Sequence, residues 1–204
     1  MLDSRAVTNA GIRLVAEAGV QALSLRAVAG GLGVTPMALY RHVADSAALT
    51  DSVMAAVVDT CAAVTDTGDT SADLRDWAER FHRDLLGAPG TAGWLLTHWF
   101  ECGPMLERIE ALLAVVEHGG LTGFTAVAVT NAVFTYVLMR CEAEREVRSA
   151  GAAKRELRMA KARSSLPRLT ALADHYTTAE FDAHFQFGLQ ALIDGMALPG
   201  GRSR

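Results

Sequence analysis

The sequence predicts an all-α fold, and three of its features support this prediction. Apolar residues recur at three- and four-residue spacing through most of the chain, whereas no window shows the period-two alternation of a half-buried strand. Capping residues precede these apolar runs, and glycine or proline follows them. With 204 residues, 50% of them hydrophobic and 21% charged, the chain is long enough for a small domain fused to a larger one.

Three short helices are predicted in the N-terminal segment. Gly19 suits the left-handed C-terminal cap of the first helix, and Ser24 suits the N-cap of the second. Gly33 ends the second helix. Thr35 followed by Pro36 starts the third, because proline fits the first helical turn, where its missing N–H costs nothing. The predicted helices span about 3–19, 25–32 and 36–42.

A longer helix, from about 46 to 66, is predicted to link this segment to the rest of the chain. Asp45 caps its start, and the polar stretch 66–70 ends it. Further helices are predicted at about 70–86, 91–101, 104–117, 122–149, 153–165 and 178–198. The sequence therefore predicts two domains, a three-helix unit over 1–46 and a helical bundle over 47–204.

The second and third helices have the spacing of a helix-turn-helix, with a tight turn that contains glycine. Ala29 is small where the two helices must cross closely. The third helix then presents a row of side chains outward, and such a helix is what the major groove of DNA admits. The miniature core between the helices is formed by Val28, Leu32, Val34 and Leu39.

Each outward residue of this motif has chemistry that suits DNA. Arg26 and Arg41 can reach guanine edges or phosphates, and Thr35 and Tyr40 can bind phosphate oxygens. The apolar members of the row, which can pack on thymine methyl groups, are Pro36, Met37 and Ala38. His42 is the remaining outward residue. The alternative reading is an ordinary three-helix bundle whose surface happens to carry arginine and tyrosine.

The distribution of charge favours double-stranded DNA as a partner only weakly. The chain carries a net charge of −4. In residues 1–50, four arginines against three acidic residues leave +1, and the other 15 basic and 20 acidic residues leave −5. Because lysine and arginine neutralise phosphates in DNA binding, the positive end of this asymmetry matches the predicted DNA-binding segment.

At these positions the chain resembles the TetR family of bacterial transcription regulators, and is closest to its tetracycline-repressor branch. The segment Ser24-Leu25-Arg26-Ala27-Val28-Ala29, then Gly33-Val34, then Leu39-Tyr40-Arg41-His42-Val43 matches the family's helix-turn-helix pattern. The resemblance covers about 2–60, and residues 185–195 are similar to the family's usual terminal helix. It implies a DNA-binding role for Ser24 as well, and a repressor as the usual mode of action.

Two departures from the family pattern concern DNA affinity. The family commonly has a lysine on a phosphate just inside the fourth helix, where this chain has Ser46, and a phenylalanine where it has Val43. Ser46 could still donate to phosphate from the helix N-terminus. A TetR-like sensor or interaction protein with weak or lost DNA binding is therefore the alternative function.

The resemblance also implies a homodimer and a small-molecule effector. The helices at 122–149 and 178–198 would pair with their mates in a four-helix interface, and a two-fold symmetric dimer demands a palindromic operator. The candidate interface residues are Val127, Val133, Phe185, Leu189 and Leu192. The candidate lining of the effector pocket is Trp94, His98, Trp99, Cys102, Met105, Asn131, Phe134, Tyr136 and Met139, which suggests a flat or lipophilic effector.

Other classes of function have little support in the sequence. Three widely spaced cysteines form no ligand pattern, so no structural metal, disulfide framework or cofactor is expected. No catalytic motif is present, so an enzyme is not expected. The uncharged run 119–139 could just span a bilayer, but its threonines and glycines favour a helix buried in the protein. We expect a cytoplasmic protein without a signal peptide.

Overall fold

The computed structural model describes residues 2–149, 166–171, 175 and 180–196, and every element of regular secondary structure in them is helical. The predicted all-α fold class is therefore confirmed. The predicted helix at 153–165 and the first residues of the predicted terminal helix lie outside the described residues. The helices are α1 Ser4–Ala18, α2 Leu25–Leu32, α3 Pro36–Leu39, α4 Ser46–Thr60, α5 Thr70–Leu86, α6 Thr91–His98, α7 Gly103–His118, α8 Gly123–Ser149, α9 Pro167–Ala171 and α10 Phe181–Gly195.

Local caps define the helices of the N-terminal segment. Side-chain oxygens of Asp3, Ser24 and Asp45 accept the backbone N–H of the residue three positions ahead, at 2.7, 3.2 and 2.8 Å. Gly33 ends α2 in the left-handed conformation, with φ of 66°, and its N–H faces the carbonyls of the last turn. A side chain with a Cβ rarely adopts this conformation, so glycine suits the turn between α2 and α3.

Two helix ends differ from the sequence prediction. Helix α3 ends at Leu39 instead of His42, because the His42 N–H donates to the Leu39 carbonyl three residues back and tightens the chain into a turn. Helix α4 ends at Thr60 instead of residue 66. The Arg108 guanidinium on α7 donates hydrogen bonds to the backbone carbonyls at this end of the helix. The Ala62 N–H donates to the Asp84 carboxylate of α5 at 2.8 Å.

The buried side chains form two hydrophobic clusters. The smaller cluster joins α1, α2, α3 and α4, and the larger one joins the end of α4 to α5, α6, α7, α8 and α10. Helix α4 contributes Val53 and Met54 to the smaller cluster and Val58 to the larger one. Trp94 of α6 packs against both clusters. Helix α4 and the start of α6 therefore connect the N-terminal unit, defined here as α1–α4, to the helical bundle, α5–α10.

Helix α8 is the central helix of the bundle. It packs against α5, α6, α7 and α10. Among the described residues it is the one helix long and apolar enough to span a membrane by length and composition, and 44% of its apolar window is buried within the protein. One side of α8 thus belongs to the hydrophobic core, while the opposite side is exposed.

Candidate functional site

The predicted DNA-reading residues lie on or beside α3 and are largely exposed. Met37 is 74% exposed and Tyr40 is 51% exposed, while Leu39 between them is completely buried. The remaining exposed members of the set are Arg26, Thr35, Pro36 and Arg41, and the half-buried members are Ala38 and His42. Leu39 anchors α3 to the smaller cluster, so the exposed side chains around it are presented from a fixed helix.

The two serines attributed to DNA binding have different surroundings. Ser24 is half-buried, and its hydroxyl already accepts the Ala27 N–H as the N-cap of α2. Ser46 is exposed at the first position of α4, beside the Asp45 carboxylate that accepts the Ala48 N–H. A phosphate at this helix start would be repelled by the Asp45 carboxylate, which already accepts one of the free backbone N–H groups there. The helix N-terminus therefore attracts an anion less than the sequence suggested.

Six of the nine predicted effector-pocket residues lie in the α6–α8 part of the bundle. Cys102, Met105 and Phe134 are buried in the larger cluster. Trp94 and His98 stack with ring centroids 4.9 Å apart, and Trp99 meets the edge of Phe134 at 6.0 Å. The structure thus brings these six residues into the same part of the bundle, as packed aromatic and sulfur-containing side chains.

The other three predicted pocket residues face elsewhere, which corrects the sequence prediction. The Tyr136 hydroxyl donates to the carbonyls of His184 and Phe185 at 3.2 and 3.0 Å, so it holds α10 against α8. Asn131 and Met139 are exposed on the opposite side of α8. The Asn131 amide is at the surface and needs no partner inside the bundle.

The predicted dimer-interface residues also need correction. Val133, Phe185 and Leu189 are buried in the protomer's own core, and Leu192 is half-buried against the same cluster. Only Val127 of the predicted set is exposed. The large apolar side chains that the structure leaves exposed on these two helices are Phe124, Val127 and Met139 of α8 and Phe187 of α10. Both sides of α8 are apolar, so the sequence pattern could not show which side faces outward.

A cleft of about 430 Å³ lies between the N-terminal unit and the bundle. It is bordered by Gln21, by the end of α5, by the α5–α6 loop and by the C-terminal part of α8. None of the nine predicted pocket residues borders this cleft. Sequence reasoning missed it because its walls come from segments far apart in the chain, and no local pattern joins them.

Buried titratable groups in the bundle are held in packed surroundings. His82 and Glu144 are buried and meet at 3.1 Å, and burial lowers the pKa of His82 despite the opposing effect of the Glu144 carboxylate. Burial raises the pKa of the Cys61 thiol to about 12 and raises the pKa of Cys141 as well. These thiols are therefore poor nucleophiles. Among the described residues no group of three or more candidate ligands could hold a metal ion.

Comparison with known proteins gives consistent matches. Residues 64–198 match the family model described as tetracyclin repressor-like, C-terminal domain. The class A tetracycline repressor protein from transposon 1721 of Escherichia coli is 30% identical over 96% of this chain and 91% of its own length. The HTH-type transcriptional repressor DrrR1 of Streptomyces coeruleorubidus is 28% identical over 93% of this chain and 75% of its own length.

The solved structures agree with the sequence matches. The crystal structure of a possible TetR family transcriptional regulator from Streptomyces coelicolor A3(2) superposes with a TM-score of 0.83. It is 26% identical, and the match covers 95% of this chain and 98% of that chain. The similarity therefore extends over both the N-terminal unit and the bundle.

Proposed function

We propose that this chain, which belongs to the tetracycline repressor-like (TetR) family of transcriptional regulators, is a ligand-responsive repressor that binds a palindromic operator as a homodimer. The observation that carries the proposal is the exposed surface around α3, where Met37 projects from a helix anchored by Leu39 and Tyr40 and Arg41 project from the turn that follows. A single exposed apolar side chain is normal on a protein surface, so the proposal depends on the grouping of Met37 with Tyr40 and Arg41 in one exposed segment.

The proposed DNA contacts divide into readout and positioning. Arg41 and Met37 read base edges in the major groove, whereas Thr35, Tyr40 and Arg26 bind phosphates and set the register. In this proposal residues 1–46 form the DNA-binding domain, and α4 links it to the effector-binding and dimerisation domain over 47–204. Ser24 acts there indirectly, as the cap that orients α2 and Arg26.

The proposed dimer interface is the exposed apolar face of α8 and α10. On α8 the exposed residues Phe124, Val127, Asn131 and Met139 are spaced three, four and eight residues apart and so share one side of the helix. Phe124 is 88% exposed, and Phe187 of α10 is 79% exposed. A second copy of the chain would cover these rings in an isologous contact, in which both protomers use the same surface.

Binding to selected sequences tests the DNA-binding part of the proposal. The wild-type protein would be used to select sequences from a random DNA pool, and its affinity measured at two salt concentrations. We expect a palindromic consensus and salt-dependent binding. Arg41→Ala should weaken binding to this site by about 1–3 kcal/mol and binding to random DNA much less. Arg75→Ala, on α5 in the bundle, is the matched control and should change neither affinity.

Two results would contradict this assignment. Equal losses on specific and random DNA would make Arg41 a phosphate contact instead of a reader of base edges. A folded dimer that selects no sequence, with or without small molecules, would favour the alternative of a TetR-like sensor protein that has lost DNA binding.

Sedimentation velocity tests the proposed interface. Phe187→Asp should convert the dimer to monomer, because a carboxylate would be placed in the apolar contact. Phe100→Asp is the matched control: Phe100 is similarly exposed but lies on the α6–α7 connection. A Phe187→Asp protein that stays dimeric would exclude this face of α10 as the interface.

The proposed effector site lies in the bundle, among Trp94, His98, Trp99, Cys102, Met105 and Phe134. The buried Trp77 indole N–H and Thr130 hydroxyl support it, since neither has a hydrogen-bond partner among the described residues. A buried polar group without a partner is costly, and a ligand in this region could supply one. A compound that releases the operator should lose this effect in Trp99→Ala; release that is unchanged in that variant would exclude Trp99 from the site.

A DNA-binding regulator of this kind acts in the cytoplasm.

A further inference from the structure

The cleft between the N-terminal unit and the bundle has the size and the apolar surface of a small-molecule site. Its volume of about 430 Å³ falls within the range of about 300–1,000 Å³ that is typical of ligand pockets. The apolar part of its wall is formed by Leu85, Leu86, Pro89, Ala92 and Cys141. This surface would accept an aromatic or aliphatic body of moderate size.

The polar part of the wall carries more positive than negative charge. It consists of Gln21, Glu142, Arg145 and Arg148. The Glu142 carboxylate is already engaged, because it accepts the Gly93 N–H at 3.0 Å and two Arg145 hydrogen bonds at 2.8 and 2.6 Å. Its charge is therefore compensated by Arg145, and the second guanidinium gives the cleft a net positive charge.

Arg148 is the donor best placed for an anionic ligand. Its side chain is 61% exposed, and its Nη2 lies 3.8 Å from the Glu144 carboxylate, which is beyond hydrogen-bond distance. Glu144 is shared with His82 at 3.1 Å and Arg140 at 3.9 Å, so it does not hold Arg148 in a bidentate pair. A guanidinium in this state matches the geometry of a carboxylate.

The cleft also lies at the contact between the two units. The Val20 N–H, just after α1, donates to the Pro89 carbonyl of the α5–α6 loop at 2.9 Å. Gln21 follows directly and borders the cleft together with Leu86 and Gly90. A molecule that fills the space between them would contact both units at once. It would thus favour one placement of the DNA-binding helices over another, which is the requirement for coupling between two sites.

We propose that this cleft binds an amphipathic carboxylate, with Arg148 holding the carboxylate and the leucine-rich wall holding the apolar body, and that occupancy changes operator affinity. The site is separate from the effector region proposed among α6, α7 and α8. The binding part of the inference is independent of the proposed function, and only the operator readout rests on it.

Isothermal titration calorimetry on the full chain tests the binding part with 2-naphthoate as the probe. Its neutral analogue, 2-naphthalenemethanol, should bind about tenfold more weakly, since one charge-assisted hydrogen bond is lost. Arg148→Met should weaken the binding of 2-naphthoate by about the same factor. Arg83→Met is the matched control, because Arg83 is exposed on α5 and borders a different groove, and it should leave the affinity unchanged.

The coupling is tested by measuring operator affinity with and without saturating 2-naphthoate. We expect a change of about fivefold or more in the wild type, and Arg148→Met should need about tenfold more 2-naphthoate to reach the same change. Absence of binding at millimolar 2-naphthoate, or equal binding by Arg148→Met and wild type, would overturn the site. Binding that leaves operator affinity unchanged would overturn the coupling. A protein that binds no DNA would refute the proposed function instead, and the calorimetric comparison would still decide the cleft.

Discussion

The N-terminal unit and the helical bundle are stabilised by polar contacts of different range. In the N-terminal unit, Asp3, Ser24 and Asp45 each cap a helix through an amide three residues away. In the bundle, polar contacts join residues far apart in sequence, such as His82 with Glu144, 62 positions apart, and Gly93 with Glu142, 49 positions apart. The first unit is therefore specified locally, and the second depends on tertiary packing.

This difference also separates the two kinds of functional surface. The DNA-reading side chains belong to one short helix and its flanking turns, so a local pattern is enough to place them. The cleft and the exposed face of α8 exist only once several helices have packed together. Mutations that remove a local or a long-range contact can therefore test how much each kind of contact contributes.

The largest expected effect is the loss of Arg108, the long-range contact at the end of α4. Its buried guanidinium donates to the carbonyls of Asp59, Cys61 and Ala62, and to Pro104 at 2.8 Å. Arg108→Met should lower the free energy of unfolding by about 3 kcal/mol, because these carbonyls lose a charged donor. Urea denaturation measures the loss. A cost as small as that of an exposed control, Arg83→Met, would show that the α4–α7 link contributes little.

The second effect concerns the close contact between α10 and α8. A Cβ at Gly188 would overlap the Tyr136 hydroxyl, whereas one at Gly195 of the same helix would meet open space. Gly188→Ala should cost about 1–3 kcal/mol of stability through overpacking. Gly195→Ala should be neutral or stabilising by about 0.5–1 kcal/mol, since alanine favours helix. Adding Tyr136→Phe should recover part of the Gly188→Ala loss, and a failure to do so would contradict the overlap.

The fold class, the helix-turn-helix and the caps could be predicted because each depends on neighbouring residues. Gly33 shows this well, since the glycine that the pattern placed in the turn takes the left-handed conformation there. The ends of α3 and α4 could not be predicted. The local pattern contains no sign of the tightened turn at His42. It also contains no sign of Arg108, which donates to the Ala62 carbonyl from 46 positions away.

The orientation of α8 was the main failure of sequence reasoning. Val127 and Val133 are equally apolar, yet the first is exposed and the second is completely buried. Their six-residue separation places them about 120° apart around the helix. The sequence holds the spacing, but only the packing of α5, α6, α7 and α10 determines which side is inside. Asn131 and Met139 of the predicted pocket and Val133 of the predicted interface were misplaced for that reason.

The third effect acts on DNA affinity and leaves the fold unchanged. Ser46→Lys should place a long cation beside the operator backbone, at a position that is exposed in the free protein. We expect tighter binding on specific and random DNA alike, with the salt-dependence slope steeper by about 0.9, the value for one added phosphate contact. Ala47→Lys is the control at the neighbouring exposed position. The same gain in both variants would show a general effect of charge and not a defined contact.

The smallest effect is a change in how stability depends on pH. His82 is buried against Phe185, with ring centroids 4.0 Å apart, and burial lowers its pKa below the ordinary value of about 6.5. Glu144 and Asp182 oppose this shift, while Arg140 adds to it. Because the unfolded chain binds the proton more tightly, the stabilisation is present above about pH 6.5 and is lost as the pH falls toward the lower value in the folded state.

His82→Gln removes this titration and keeps a side chain that can donate to Glu144. The fall in unfolding free energy between about pH 7.5 and about pH 5.5 should therefore be shallower in the variant than in the wild type. Urea denaturation at both pH values measures it. Parallel curves would mean that His82 is protonated as readily in the folded protein as in the unfolded chain, because Glu144 offsets burial. A steeper fall in the variant than in the wild type would mean that Glu144 outweighs burial and that the pair stabilises the bundle as an ion pair.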